Sequence, residues 1–137
     1  ISEFDQTVGE ILLTPTQIYV DAITSIRQAK NLWPAVHGIA HITGGGLAGN
    51  LERIIPQTAR AVIRRGSWTV PPVFPWVQQC GNIEETEMEH VFNLGVGMVL
   101  VVAADQADAM REVLTDGEKT PYVIGEIVAG DGGVELV

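Results

Sequence analysis

Apolar residues recur at helical spacing from Thr16 to Lys30, where Ile18, Ala22, Ile26 and Ala29 form one stripe that Tyr19 and Ile23 widen. The spacing predicts a helix starting at Thr16, an N-cap residue type, and ending at about Lys30, before Trp33-Pro34. Ahead of it, Glu10 to Thr14 is a short apolar run closed by Pro15, too short for a helix and read as an edge strand or extended arm. Val36 to Thr43 is mostly apolar, as a buried strand would be. Glycines at 44, 45, 46 and 49 break that strand, and Leu47 to Ile55 resumes helical spacing until Pro56. Arg60 to Arg65 alternates charged with apolar residues, the pattern of a half-exposed strand, and Gly66 closes it.

Pro71 and Pro72 stand where proline is tolerated, before and at the start of a helix over Val73 to Cys80 that Gly81 would cap. A second short helix is predicted from Glu84 to Val91, with its glutamates at the positive end of the dipole. Leu94 to Ala104 is the best strand in the chain. Asp105 would cap a further helix with Ala109, Val113 and Leu114 inward and Gly117 at its end. Tyr122 to Val128 and Val134 to Val137 read as a closing pair of strands around Asp131-Gly132-Gly133. Strands and helices interleave without strict βαβ order, which argues for an α+β fold, a mixed β-sheet covered by helices.

At 137 residues and 46% apolar, the chain falls in the range of one domain with a core of its own. Its first residues stand outside the apolar pattern, so residues 1–8 are read as a linker or cloning remnant and residues 9–137 as the domain. The net charge of -9 argues against a nucleic-acid partner, and the longest apolar runs are too short to span a membrane. A soluble, cytoplasmic protein is expected. Cys80 is the only cysteine, so no internal disulfide and no thiolate metal cluster can form.

Gly44-Gly45-Gly46-Leu47-Ala48-Gly49 matches GxGxxG after a predicted strand and before a predicted helix. The dinucleotide reading requires an acidic residue about 20 positions on, where Gly66 to Val70 stand instead. A P-loop would need Gly-Lys-Ser/Thr after the glycines, which is also missing. What remains is a loop whose backbone N–H groups can approach a phosphate or carboxylate, weighed against a plain strand-to-helix turn. Asn50 and Arg53, one turn apart, tip the balance toward a ligand. His41 shares a strand face with Thr43 and His37 and is the candidate catalytic residue, at even odds with a structural role. Glu84 to Glu89 is read as a solvated helix start. The glycines at 95 and 97 suggest backbone packed closely against another segment or a ligand.

Three runs, Leu12-Leu-Thr-Pro-Thr-Gln-Ile-Tyr-Val20, His37-Gly-Ile-Ala-His-Ile-Thr-Gly-Gly-Gly46 with Asn50-Leu-Glu-Arg53, and Phe92-Asn-Leu-Gly-Val-Gly-Met98, resemble the aminoimidazole ribonucleotide synthetases. Trp68, Pro72 to Trp76 and Gly81-Asn-Ile83 follow in the order of that family, and the likeness runs from about Gly9 to the C-terminus. The resemblance implies the C-terminal domain of a cyclo-ligase of purine biosynthesis, which uses ATP and Mg²⁺ to close the imidazole ring of a ribonucleotide substrate. It implies that an N-terminal domain outside these residues binds most of the ATP and metal, that the full-length enzyme is a homodimer, and that this chain alone is inactive. Thr43, Gly44, Gly45, Gly46, Asn50 and Arg53 would bind substrate or phosphate, with His41 as the catalytic candidate and no metal ligand in this chain. Many members carry Arg-Thr where this chain has His90-Val91, so no role is carried over to that pair. Related ATP-using enzymes (glutamine-dependent amidine synthetase, thiamin monophosphate kinase and selenophosphate synthetase) share the glycine turn and stand as the alternative, together with a non-catalytic interaction domain.

Overall fold

A computed structural model describes residues 6–115 and 121–137. Helix α1 spans Val8–Leu12 and α2 Val20–Gln28; a 3₁₀ turn at Trp33–Ala35 leads into strand β1, Val36–His41. Helix α3 (Gly46–Leu51) and strand β2 (Ala59–Ile63) follow, then α4 (Val73–Gly81), α5 (Glu85–Val91) and strand β3 (Met98–Val102). Helix α6 (Ala107–Leu114) and strands β4 (Gly125–Ala129) and β5 (Val134–Leu136) complete the order. The α+β class is as expected, with the sheet in two parts: an antiparallel pair β1-β3 and a mixed sheet ordered β4-β2-β5.

The pair β1-β3 is shared by two cores. Successive side chains of a strand point to opposite faces, and on β3 Val99 and Val101 join the cluster of Ala40, Ile42, Leu47, Leu51, Ile55, Ala61, Ile63 and Trp68. Leu100 and Val102 turn the other way, onto Ile26 of α2, Leu32 and Met110 of α6. A strand buried on both faces reads as an unbroken apolar run, which is why Met98 to Val102 shows no alternation.

Several expectations are corrected. The segment from Glu10 is helical, because Thr7 and Glu10 form a capping box that satisfies the first N–H groups of α1. Helix α2 begins four residues later than Thr16, with Tyr19 at its N-cap position and no side-chain cap. Strand β3 starts at Met98, four residues after Leu94, because Leu94 and Gly95 have positive φ values of 49° and 95° in a turn. That turn is held by the Gly95 N–H donating to Asn93 Oδ1 (3.0 Å) and Trp68 Nε1–H donating to the Leu94 carbonyl (3.0 Å). On α6, Met110 is the buried residue and Val113 is exposed; the predicted stop at Gly117 lies outside the described residues. β4 and β5 do not pair with each other. β2 lies between them, antiparallel to β4 and parallel to β5, and the Gly130 to Gly133 connection crosses the start of β2, where Arg60 pairs with Asp131.

Because both cores lean on one strand pair, the domain is expected to unfold as a unit. Ile26→Ala and Leu51→Ala, one in each core, should each cost about 2–5 kcal/mol and shift a single urea transition. Two separable transitions would contradict the shared pair.

Candidate functional site

Strand β1 ends at His41, and the Ile42 N–H donates to the Gly97 carbonyl (2.9 Å), which fixes the point where the chain leaves the sheet. Thr43 to Gly46 then turn into α3, with the Gly46 N–H donating to the Thr43 carbonyl (3.2 Å). Gly45 and Gly46 have φ values of 98° and 61°, a region that side chains with a Cβ rarely adopt.

Asn50 holds this loop from beneath. Among the described residues it is the one buried polar residue, 4% exposed, and its Nδ2 donates to the carbonyls of Gly46 (2.8 Å), Thr43 (3.3 Å) and Gly44 (3.3 Å). Its Oδ1 accepts from Thr43 Oγ1 (3.4 Å). An amide has two N–H donors, so both are taken within the loop. Asn50 therefore shapes the loop backbone, while its expected helix neighbour Arg53 is exposed and forms no side-chain hydrogen bond or ion pair with another described residue.

The glycines divide by role. A Cβ at Gly46 would lie 1.8 Å from the Glu89 carbonyl oxygen, so this glycine exists to let α3 meet the last turn of α5. Gly45 is required by its φ alone, since its Cβ would meet nothing closer than 3.8 Å. Gly44 and Gly49 face open space and have no positive φ. Of the loop glycines, Gly44 is both exposed and free of any packing demand.

His41, the last residue of β1, and Thr43, in the turn beyond it, are both exposed beside Gly44. His37 sits at a bulge where the register with β3 shifts between Val36 and Gly38. It lies four residues from His41, about 13 Å along a strand, too far to share one small ligand group with it.

Sequence reasoning missed Tyr19 as a neighbour of this site. Its ring meets the His41 imidazole edge to face, with centroids 6.4 Å apart, and its phenol oxygen accepts from the Gly97 backbone N–H. A Cβ at Gly97 would stand 2.1 Å from that oxygen, and one at Gly95 would stand 2.4 Å from Pro71 Cδ. The alternate glycines thus pack against other segments of the same chain. Burial holds the Tyr19 phenol above its ordinary pKa of 10.0 and outweighs the opposing Gly97 hydrogen bond. Tyr19, His41 and Met98, with Thr16, Thr24 and Arg27, line an open groove of about 560 Å³ beside the loop.

A two-core α+β domain whose strand end, glycine turn and amide-stapled helix form one exposed backbone loop has a known counterpart. The chain belongs to the family described as AIR synthase related protein, C-terminal domain, whose model matches residues 2–137. Among its relatives is the phosphoribosylformylglycinamidine cyclo-ligase of Thermoanaerobacter sp. (strain X514), 43% identical over 136 residues, which are 99% of this chain and 39% of that protein. The enzyme of that name from Citrifermentans bemidjiense is 46% identical over 132 residues, 96% of this chain and 37% of the relative. The chloroplastic enzyme of Arabidopsis thaliana is 42% identical over 126 residues, 92% of this chain and 31% of the relative. The chain thus spans less than two fifths of the length of each of these relatives.

The division among the glycines makes a sharp prediction for urea denaturation. Gly46→Ala should cost more than about 2 kcal/mol, from overpacking and backbone strain. Gly44→Ala should stay within about 0.5 kcal/mol of the parent. Equal losses would show that the Glu89 carbonyl contact does not set the requirement.

Proposed function

We propose that this chain is the C-terminal domain of a phosphoribosylformylglycinamidine cyclo-ligase and that its Thr43 to Gly46 loop binds a phosphate-bearing ribonucleotide substrate. The observation that carries the reading is the stapled loop. With its carbonyls drawn inward onto Asn50, its outer rim at Thr43 and Gly44 stays exposed. A loop held in one shape needs no reordering when an anion arrives, so more of the contact energy remains as affinity.

His41, exposed on the same rim, is the candidate catalytic residue in this reading. Tyr19 fixes the ring's orientation from the side. When bound, ATP supplies the phosphoryl group that turns the formyl amide oxygen of the substrate into a leaving group. In this reading the part of this chain is to bind, orient and shield the substrate. ATP and Mg²⁺ are assigned to a preceding domain, as the family resemblance implies.

That domain would meet the arm before α2. Leu13 and Ile18 are 82% and 76% exposed, and Leu12 and Val20 are exposed too; exposed apolar side chains of this kind favour burial against another surface. Among the described residues no helix is long and apolar enough to cross a membrane. The proposal places the full-length enzyme in the cytoplasm as a homodimer.

Gly44→Ala tests the cradle without disturbing the fold. In the full-length enzyme, a Cβ on the rim should raise KM for formylglycinamidine ribonucleotide by about tenfold, the effect of roughly 1.4 kcal/mol of lost binding. An unchanged KM and kcat, with the loop folded, would refute the cradle.

A further inference from the structure

We propose that Arg65 is a positioning residue for the glycine loop and acts on it through Glu89; the inference rests on the reading of that loop as a substrate cradle. Arg65 lies in the turn after β2. Its Nε and one terminal nitrogen donate to the two carboxylate oxygens of Glu89 at 2.6 and 2.9 Å, a bidentate pair. The other terminal nitrogen donates to the Leu136 carbonyl at 2.6 Å, and the Arg65 N–H donates to the Val137 carbonyl at 2.8 Å. One side chain thereby joins the end of β2, the last turn of α5 and the last strand.

Glu89 is also the residue whose carbonyl oxygen sits against Gly46. The carboxylate is clamped by Arg65 while the backbone of the same residue buttresses the loop. Helix α5 packs mainly against α3; Met88 is its one buried residue, and Glu84 at its N-cap makes no side-chain capping bond. Phe92, just past its end, adds an edge-to-face contact with Phe74 at 5.8 Å. Glu89 is 17% exposed on its side chain, so its ion pair is better shielded from solvent than those of Arg60 on β2, which meets Asp131 and Glu135, 86% and 53% exposed. A planar, bidentate clamp restricts rotation as well as distance, which suits a part that must hold one carbonyl against one glycine.

The experiment uses full-length enzyme in three variants: Arg65→Gln, the exchanged pair Arg65→Glu with Glu89→Arg, and Arg60→Gln as a control that breaks ion pairs on the same strand away from the loop. Hydrogen exchange at Gly45 to Asn50 and KM for formylglycinamidine ribonucleotide are read for each. Arg65→Gln is expected to speed exchange of these amides and to raise KM, each by about tenfold for the loss of charge-assisted hydrogen bonds, with kcat changed less. The exchanged pair should recover part of both, and Arg60→Gln should move neither. Unchanged loop exchange in Arg65→Gln would overturn the positioning role. Faster exchange with an unchanged KM would instead overturn the cradle reading on which the inference stands. If Arg65→Gln does not fold, failure of the exchanged pair to restore loop protection would also overturn it.

Discussion

The buried side-chain amide of Asn50 is the constraint on which the rest of this site depends. A polar group taken out of water must find partners or cost the fold several kcal/mol, and Asn50 finds all of its partners in the loop it follows. The Thr43 carbonyl also accepts the Gly46 N–H, so the amide reinforces a turn that the backbone already closes. A carboxylate in the same place would lack the donors and would set charge against the carbonyl oxygens.

This staple works because it is fixed to rigid elements. Upstream, Ile42 is bonded to the Gly97 carbonyl and buried in the larger core. Downstream, α3 is anchored by Leu47 and Leu51, and its first residue is pressed on Glu89. The β1-β3 pair carries the loop at its end and a core on each face, so motion of the loop relative to either core is costly. A site held this way is set by packing rather than by its own loop sequence.

Much of this was legible from the residues. The strand, glycine turn and helix order at 36–55 followed from apolar runs and breakers, and the strand read over Leu94 to Ala104 is present as the shorter Met98–Val102. The family was legible too, because its motifs lie far apart yet in a fixed order. What failed were features decided by contacts distant in the chain. Thr16 has the chemistry of a cap, yet Tyr19, with its phenol on Gly97, takes the N-cap position. The strands at 125–129 and 134–136 look like a hairpin in sequence, yet β2 enters between them from more than 60 residues away. Capping at α1 was the exception: Thr7 and Glu10 have the local spacing of a capping box, but the apolar run after them is too short to mark a helix by periodicity. At the site, glycine identity said that backbone comes close to something, and only the packing could tell Gly46, which meets Glu89, from Gly44, which meets open space.

The central claim, that Asn50 holds the loop closed, is tested most directly by hydrogen exchange of its own side-chain amide protons, read by NMR. Both Nδ2 protons should be protected, exchanging at least about tenfold more slowly than those of a solvent-exposed amide such as Gln57. Exchange as fast as that of Gln57 would mean that the amide is open to water and that the loop's shape has another cause.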